Sequence, residues 1–393
     1  MRTTITSGTD RRGLHPSLRD ATGAVADLGV LVPLAAALIL VNGLDAGAVF
    51  VGAGLLVLAT GLVFKIPFPV QPLKALTAVA VARELSPDVI HAAGLELAGF
   101  LLLLSIGHAA DLVARLFVKP VVRALQLGVG ALLVVTALKL VADPPEVFSA
   151  PSSPWPIVFA AIAFAGVAVA AQRRRYVWAL AMFGAGLAAT IAATRPDLAV
   201  PSFALPSLGL PAASAFGTAF VLLVIPQLPL TFGNAVVAVN DLAHEYFGDR
   251  AERVTPSRVC LSAGLGNTVS ALIGGMPMCH GAGGLTAHVR LGARTAAMNL
   301  LLGSSFLVLG LFFATQIPVI LGLLPVSILG AFLAYAGLRH AWLVSDLRGA
   351  PLAIAVVAGA VGAWYGNLAI TAALALVLEH GRRFVFERVR TPA

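Results

Sequence analysis

The chain has 393 residues, of which 59% are hydrophobic and 11% charged, and its formal net charge is +8. A soluble domain carries about 25% charged residues, so this composition excludes a surface that faces water everywhere and calls for hydrocarbon as solvent. Two cysteines, Cys260 and Cys279, are too few for a disulfide framework and match no zinc spacing, so they read as small buried hydrophobes and no metal site is expected.

The first 19 residues hold no apolar run of the signal-peptide kind and read as a cytosolic tail, 1–19. Beyond them, segments long and apolar enough to cross a bilayer, or to enter it as half-helices, follow one another to residue 380. They are 20–41, 46–64, 67–83, 88–107, 118–141, 156–171, 176–194, 213–240, 257–275, 277–290, 294–314, 317–338, 350–363 and 366–380. The fold class expected is therefore an all-α integral membrane protein with about fourteen transmembrane segments, two of them half-helices preceded by short extended strands.

The basic residues test that count. Numbered this way, the inner segments hold 22 of the 26 Lys and Arg residues, while only Arg83, Lys139 and Arg195 fall outside and Lys74 falls within a span. A missed span would scramble this asymmetry, so both termini are expected in the cytosol, with the positive charge lying along the cytoplasmic face rather than forming a nucleic-acid surface. A shift of 210 residues lays Gly52–Phe68 on Ser262–Met278, matching Ala53-Gly54-Leu55 to Ala263-Gly264-Leu265 and Pro67 to Pro277. That echo implies two seven-span halves, 20–195 and 213–380, joined by an external linker 196–212 and followed by a cytosolic tail 381–393. Seven is odd, so the second half would enter from the opposite side as an inverted repeat.

The chemistry concentrates after the matched prolines. In Lys65–Ala82 (KIPFPVQPLKALTAVAVA) three prolines force an extended entry, and helical pattern resumes after Pro72 with Lys74 in its first turn. In Gly274–Arg290 (GGMPMCHGAGGLTAHVR) His280, Gly281, Ala282, Gly283 and Gly284 precede a second helical run, where missing Cβ atoms let backbone N–H groups reach a ligand. Two helix N-termini converging at mid-depth beside a lysine describe an anion site. The competing reading of the glycines is a close helix-packing seam. Supporting polar groups are Gln227, Thr231 and Asn234 in IPQLPLTFGN; the Gln and Asn amides could donate to an oxyanion, and Asn234 and Thr231 read equally well as interhelical hydrogen-bonding groups. Asp27, near Pro33, could pair with Lys74, carry a coupling proton or cap a helix. Glu96, the other intramembrane carboxylate, reads first as a partner for His91 or for backbone, and second as a coupling group.

These segments carry a resemblance. GAVADLGVLVPL, GLVFKIPFPVQPLKALTAVAV, IPQLPLTFGNAVVAV and GGMPMCHGAGGLTAHVRLGART resemble the signature stretches of the molybdate transporter family, a branch of the sulfate permease (SulP) superfamily. The resemblance covers most of residues 20–300. It implies a seven-plus-seven fold with core and gate domains, uptake of a tetrahedral oxyanion, and a site drawn from Gln71, Pro72, Lys74, Gln227, Asn234 and His280 to Gly284. Ala26 departs from the glycine usual there, and the 13 residues after the last span leave no room for a STAS domain.

The function expected is a proton-coupled secondary transporter importing molybdate, with tungstate or sulfate as alternative substrates, in the cytoplasmic membrane. A sulfate or nucleobase permease of the same fold and an uncoupled anion channel are the alternatives; Gln227, where a nucleobase site would want a carboxylate, speaks against the nucleobase. No cofactor or Walker-type phosphate loop is present in the sequence. An enzyme is not expected, because adjacent Cys279 and His280 project apart and lack an orienting third group. Besides substrate, protons and lipid, the partners compatible with this reading include a second copy in a homodimer, but no nucleic acid.

Overall fold

The computed structural model describes residues 17–390 except 108, 145–155, 174, 176, 198 and 199, and at a few further positions, Asp27 among them, the backbone alone. The first helices are α1 (Leu18–Leu40), α2 (Ala46–Phe64), α3 (Lys74–Ala82), α4 (Pro87–Ser105), the short α5 (Ala109–Ala114), α6 (Lys119–Ala142), α7 (Pro156–Gln172) and α8 (Val177–Thr194). After an extended stretch come α9 (Ala215–Ala219), α10 (Ile225–Leu230) and α11 (Val239–Phe247), joined by π-helical turns at Phe220–Val224 and Thr231–Ala238. The chain closes with α12 (Pro256–Leu272), α13 (Ala282–Arg290), α14 (Ala297–Phe312), α15 (Ile317–Gly322), α16 (Val326–Ala341), α17 (Gly349–Trp364) and α18 (Leu368–Arg390). Two strands of two residues, β1 (Gln71–Pro72) and β2 (Met278–Cys279), precede α3 and α13.

Among the described residues, four helices are long and apolar enough to cross a membrane, or six when each sharply bent pair counts as one span. Large apolar side chains such as Leu103, Ile162, Val221, Val357 and Val377 lie exposed on the outside, as a lipid-facing surface requires. Pro226 and Pro229 interrupt the expected span 213–240 differently from a clean break. The backbone stays helical through the two π stretches, bends by 52°, and runs on to Phe247. A proline has no N–H and its ring crowds the preceding turn, and widening to π geometry accommodates both. The segment expected at 317–338 is divided at Leu323–Pro325, between α15 and α16, and α18 continues as helix through much of the tail expected at 381–393.

Two groups of helices pack among themselves: α2, α4, α12 and α14 in one, and α6, α7, α16, α17 and α18 in the other. Small residues set both seams. A Cβ on Gly54 would lie 2.9 Å from Gly303 O, and one on Gly337 would lie 2.7 Å from Gly130 O. Such backbone approach suits helices in lipid, where dispersion contacts rather than water expulsion drive association. Helices α1 and α13 lie between the groups, each packing against α16. The stretch after α8 is strapped across helix ends: Ser202 N donates to Phe312 O (3.0 Å), Ala204 N to Leu311 O (2.8 Å) and Gly209 N to Leu272 O (2.9 Å).

Candidate anion site

The two short strands pair antiparallel, Gln71 opposite Cys279 and Pro72 opposite Met278, and Leu73 N donates to Pro277 O at 3.2 Å. A two-stranded ribbon buried at membrane depth leaves its outer backbone edges needing partners. Two asparagines supply them. Asn299 of α14 accepts from Phe68 N (2.9 Å) and donates to Phe68 O (2.7 Å); Asn267 of α12 accepts from Met278 N (2.7 Å) and donates to Met278 O (2.7 Å). Each amide acts as one more strand residue. Both are buried, and sequence reasoning missed them; a lone Asn within the apolar run AMNLLLGSS was the available signal.

From this ribbon α3 and α13, nine residues each, start without a side-chain cap at Leu73 and Gly281 respectively. Helix α3 begins at Lys74, two residues later than a start at Pro72 would give, because Pro72 is held in the strand. The lysine reaches across to the other helix: a Cβ on Gly283 would lie 4.0 Å from Lys74 Nζ, itself a buried atom. The same Cβ would lie 3.0 Å from Leu133 and 3.2 Å from Val129, so Gly283 faces α6 of the second helix group. The other glycines serve Gln71, which is fully buried. Its Oε1 would lie 2.7 Å from a Cβ on Gly281, and its Nε2 would touch one on Gly284. Asn234, in the second π stretch, is buried, its Nδ2 would be 3.9 Å from a Gly281 Cβ, and its Oδ1 has no hydrogen-bond partner.

The structure thus gathers Gln71, Pro72, Lys74, Asn234, Gly281, Ala282, Gly283 and Gly284 around two facing helix N-termini, each carrying about half a positive charge. Gln227 and His280 are positioned by other work. Gln227 Oε1 accepts from Leu76 N (2.9 Å) and its Nε2 donates to Thr231 Oγ1 (3.0 Å), so its amide satisfies the first turn of α3 and ties it to the π-bulged helix. His280 places its ring edge-on to Phe64 and Phe68, with Nδ1 3.0 Å from Pro69 O and Nε2 3.2 Å from Ser262 Oγ. It buttresses the ribbon with its side chain while its backbone leads into α13. Glu96 lies half-buried on α4; its Oε2 and the Nε2 of His91 each lack a hydrogen-bond partner. The side chain of Asp27 lies outside the described residues, and both cysteines are free and buried.

Sequence reasoning also missed a cluster on the other side of this site. Arg123 of α6, 3% exposed, pairs with Asp241 (2.7 Å) and Glu245 (2.8 Å) of α11 and with Asp346 (2.8 Å) beyond α16, so one guanidinium ties the second helix group to α11.

A family model described as "Molybdate transporter of MFS superfamily" matches residues 19–133 and 219–339. Molybdate transporter 2 of Arabidopsis thaliana is 31% identical over 379 residues, covering 85% of this chain and 80% of that protein. Molybdate transporter 1 of Chlamydomonas reinhardtii is 30% identical over 440 residues, covering 84% of each. Among solved structures, the transmembrane domain of a cyanobacterial bicarbonate transporter, BicA, superposes with a TM-score of 0.56 at 17% identity, covering 92% of this chain and 96% of that one. Murine SLC26A9, an anion transporter in its inward-facing state, gives 0.56 at 13% identity over 94% of this chain and 68% of that one. At these identities the structural likeness establishes the fold alone: a multi-pass, mostly helical protein of the SLC26 and SulP type.

Proposed function

The chain belongs to the molybdate transporter family, and on that footing we propose that it is a secondary active transporter importing molybdate, coupled to protons, by alternating access. The observation that supports this reading best is the convergence of two uncapped half-helix N-termini with Lys74 at a glycine-lined wall. A tetrahedral dianion loses a large hydration energy on entering such a pocket, which fixed dipoles and charge must replace. Two helix ends and one lysine supply roughly two positive charges, the charge of the substrate in opposite sign. Gln71 and Asn234 add polar groups at the same wall, and the glycines admit backbone N–H groups.

Alternating access follows from where the site lies. Helix α13 abuts α6 and α16, so sliding of the ribbon-bearing group against the second group would carry the anion from one face to the other. In this proposal residues 20–195 and 213–380 are the two inverted halves, both termini are cytosolic, and the protein resides in the cytoplasmic membrane. Asp27 and Glu96 are the carboxylates proposed to carry the coupling proton. Proteoliposome uptake tests the function: molybdate should accumulate under an inward proton gradient, and tungstate and sulfate should compete. Uptake that ignores the proton gradient and never exceeds equilibrium would replace the symporter with a channel.

A further inference from the structure

His340, near the end of α16, is fully buried where α16 packs on α13. Its Nδ1 lies 2.8 Å from Thr286 Oγ1 on α13, and that hydroxyl lies 3.3 Å from Tyr246 OH on α11. Its Nε2 is buried and has no hydrogen-bond partner. Thr286 is four residues beyond Ala282, about 6 Å along the helix from the N-terminus that faces the anion. Burial first, and then the charges of Lys74 at the site and Arg123 in the acidic cluster, disfavour a proton on the ring of the empty protein. A titratable side chain thus stands between the anion site and the Arg123 cluster, hydrogen-bonded across the seam on which transport turns.

We propose that His340 takes up a proton when the oxyanion binds. The inference rests on the proposed anion site and adds to it a titrating group on the second helix group, besides the carboxylates Asp27 and Glu96. With Nδ1–H donated to Thr286 Oγ1, Nε2 keeps a lone pair, and the added proton comes from solution to that nitrogen without any bond being broken. In the empty protein such a proton would add a cation beside Lys74, while Asp241, Glu245 and Asp346 neutralise Arg123. A bound dianion offsets Lys74 and so lifts the repulsion that opposes the proton. The other elements packed on α16 carry the following groups. Helix α6 has Lys119, which pairs with Asp346, and Lys139 besides Arg123; α13 has His288 and Arg290, the latter over the Tyr246 ring. Helix α1 has Arg19, Asp27 and Asp20, which is engaged by Arg294 N and Thr295; α7 and α8 have no ionisable residue, and Arg339 adjoins His340 on α16 itself. Linkage is reciprocal: if the anion favours the proton, the proton favours the anion by the same factor. Affinity should therefore rise as pH falls, by at most tenfold per pH unit for one proton, between the pKa of the empty and of the loaded state.

The test is calorimetric titration of the purified full-length protein with sodium molybdate, between about pH 6.5 and about pH 8.5, at and above the pKa of an unperturbed histidine, where the empty protein holds His340 neutral. Two buffers of different ionisation enthalpy give the number of protons taken up. Wild type should take up about one proton on binding. His340→Gln and His340→Asn should bind with no proton uptake and a flat pH profile. Uptake unchanged in whichever His340 variant remains monodisperse, or wild-type binding with no proton uptake, overturns the assignment of His340. Absence of any molybdate binding by wild type, or full affinity in Lys74→Ala, instead overturns the site on which it rests.

Discussion

Replacing Gly284 by alanine is the smallest perturbation that should disable the site while leaving its charges in place. A Cβ there would collide with Gln71 Nε2 and lie 2.8 Å from Gln71 Cδ and 2.9 Å from Pro69 Cβ, in a region where Gln71 is fully buried. Something must move, and the amide of Gln71 is the movable part. Overpacking of this kind costs about 1–3 kcal/mol. If the cost falls on the geometry that binds the anion, molybdate affinity drops about 5- to 150-fold, since about 1.4 kcal/mol is tenfold. A double-mutant cycle isolates the cause. In a Gln71→Ala background Gly284→Ala should lose most of its effect, because the displaced group is already gone. Molybdate titrations of the four proteins, checked for monodispersity, give the answer. Wild-type affinity in Gly284→Ala, or strict additivity with Gln71→Ala, would refute the reasoning.

Three further outcomes are expected. Lys74→Ala should lower molybdate affinity by at least about tenfold, the scale of one charge-assisted hydrogen bond, and Lys74→Arg should remain impaired because a planar fork orients its donors differently; equilibrium binding checks both. Asn299→Leu should destabilise the protein by about 1–3 kcal/mol per backbone group left unsatisfied at Phe68, read as an earlier thermal transition in detergent. Cysteines placed at Ser207, in the strap after α8, and at Gln172, at the end of α7, should react with impermeant reagent from opposite sides; labelling of both from one side would contradict the proposed topology.

Much of the fold was legible because hydrocarbon imposes a simple rule on sequence. Helix α2 occupies the expected 46–64, and α7 and α8 lie within a residue of theirs, since uncharged runs bounded by Asp, Pro or Arg leave little choice. The broken elements were legible through their prolines and glycines, which forbid regular helix before Lys74 and Ala282. Side-chain roles were harder to read. His280 and Gln227 sit inside the expected site motifs, yet each is held by a neighbour far along the chain, Pro69 or Leu76, that no local spacing reveals. Asn299 and Asn267 complete a ribbon assembled from segments some 200 residues apart, and Arg123 finds its acids on α11 and beyond α16. Tertiary pairing decides such roles, and a single sequence records it only as an unexplained polar residue in an apolar span.

Molybdenum is its own marker, and its anomalous scattering locates the substrate without reference to any variant. In crystals grown with molybdate, an anomalous difference map collected at the molybdenum edge should show a peak between the N-termini of α3 and α13, within hydrogen-bonding reach of Lys74 Nζ and the backbone N–H groups that open α13. A peak beside Arg123 or elsewhere on the protein, with none between the two half-helices, would contradict the account.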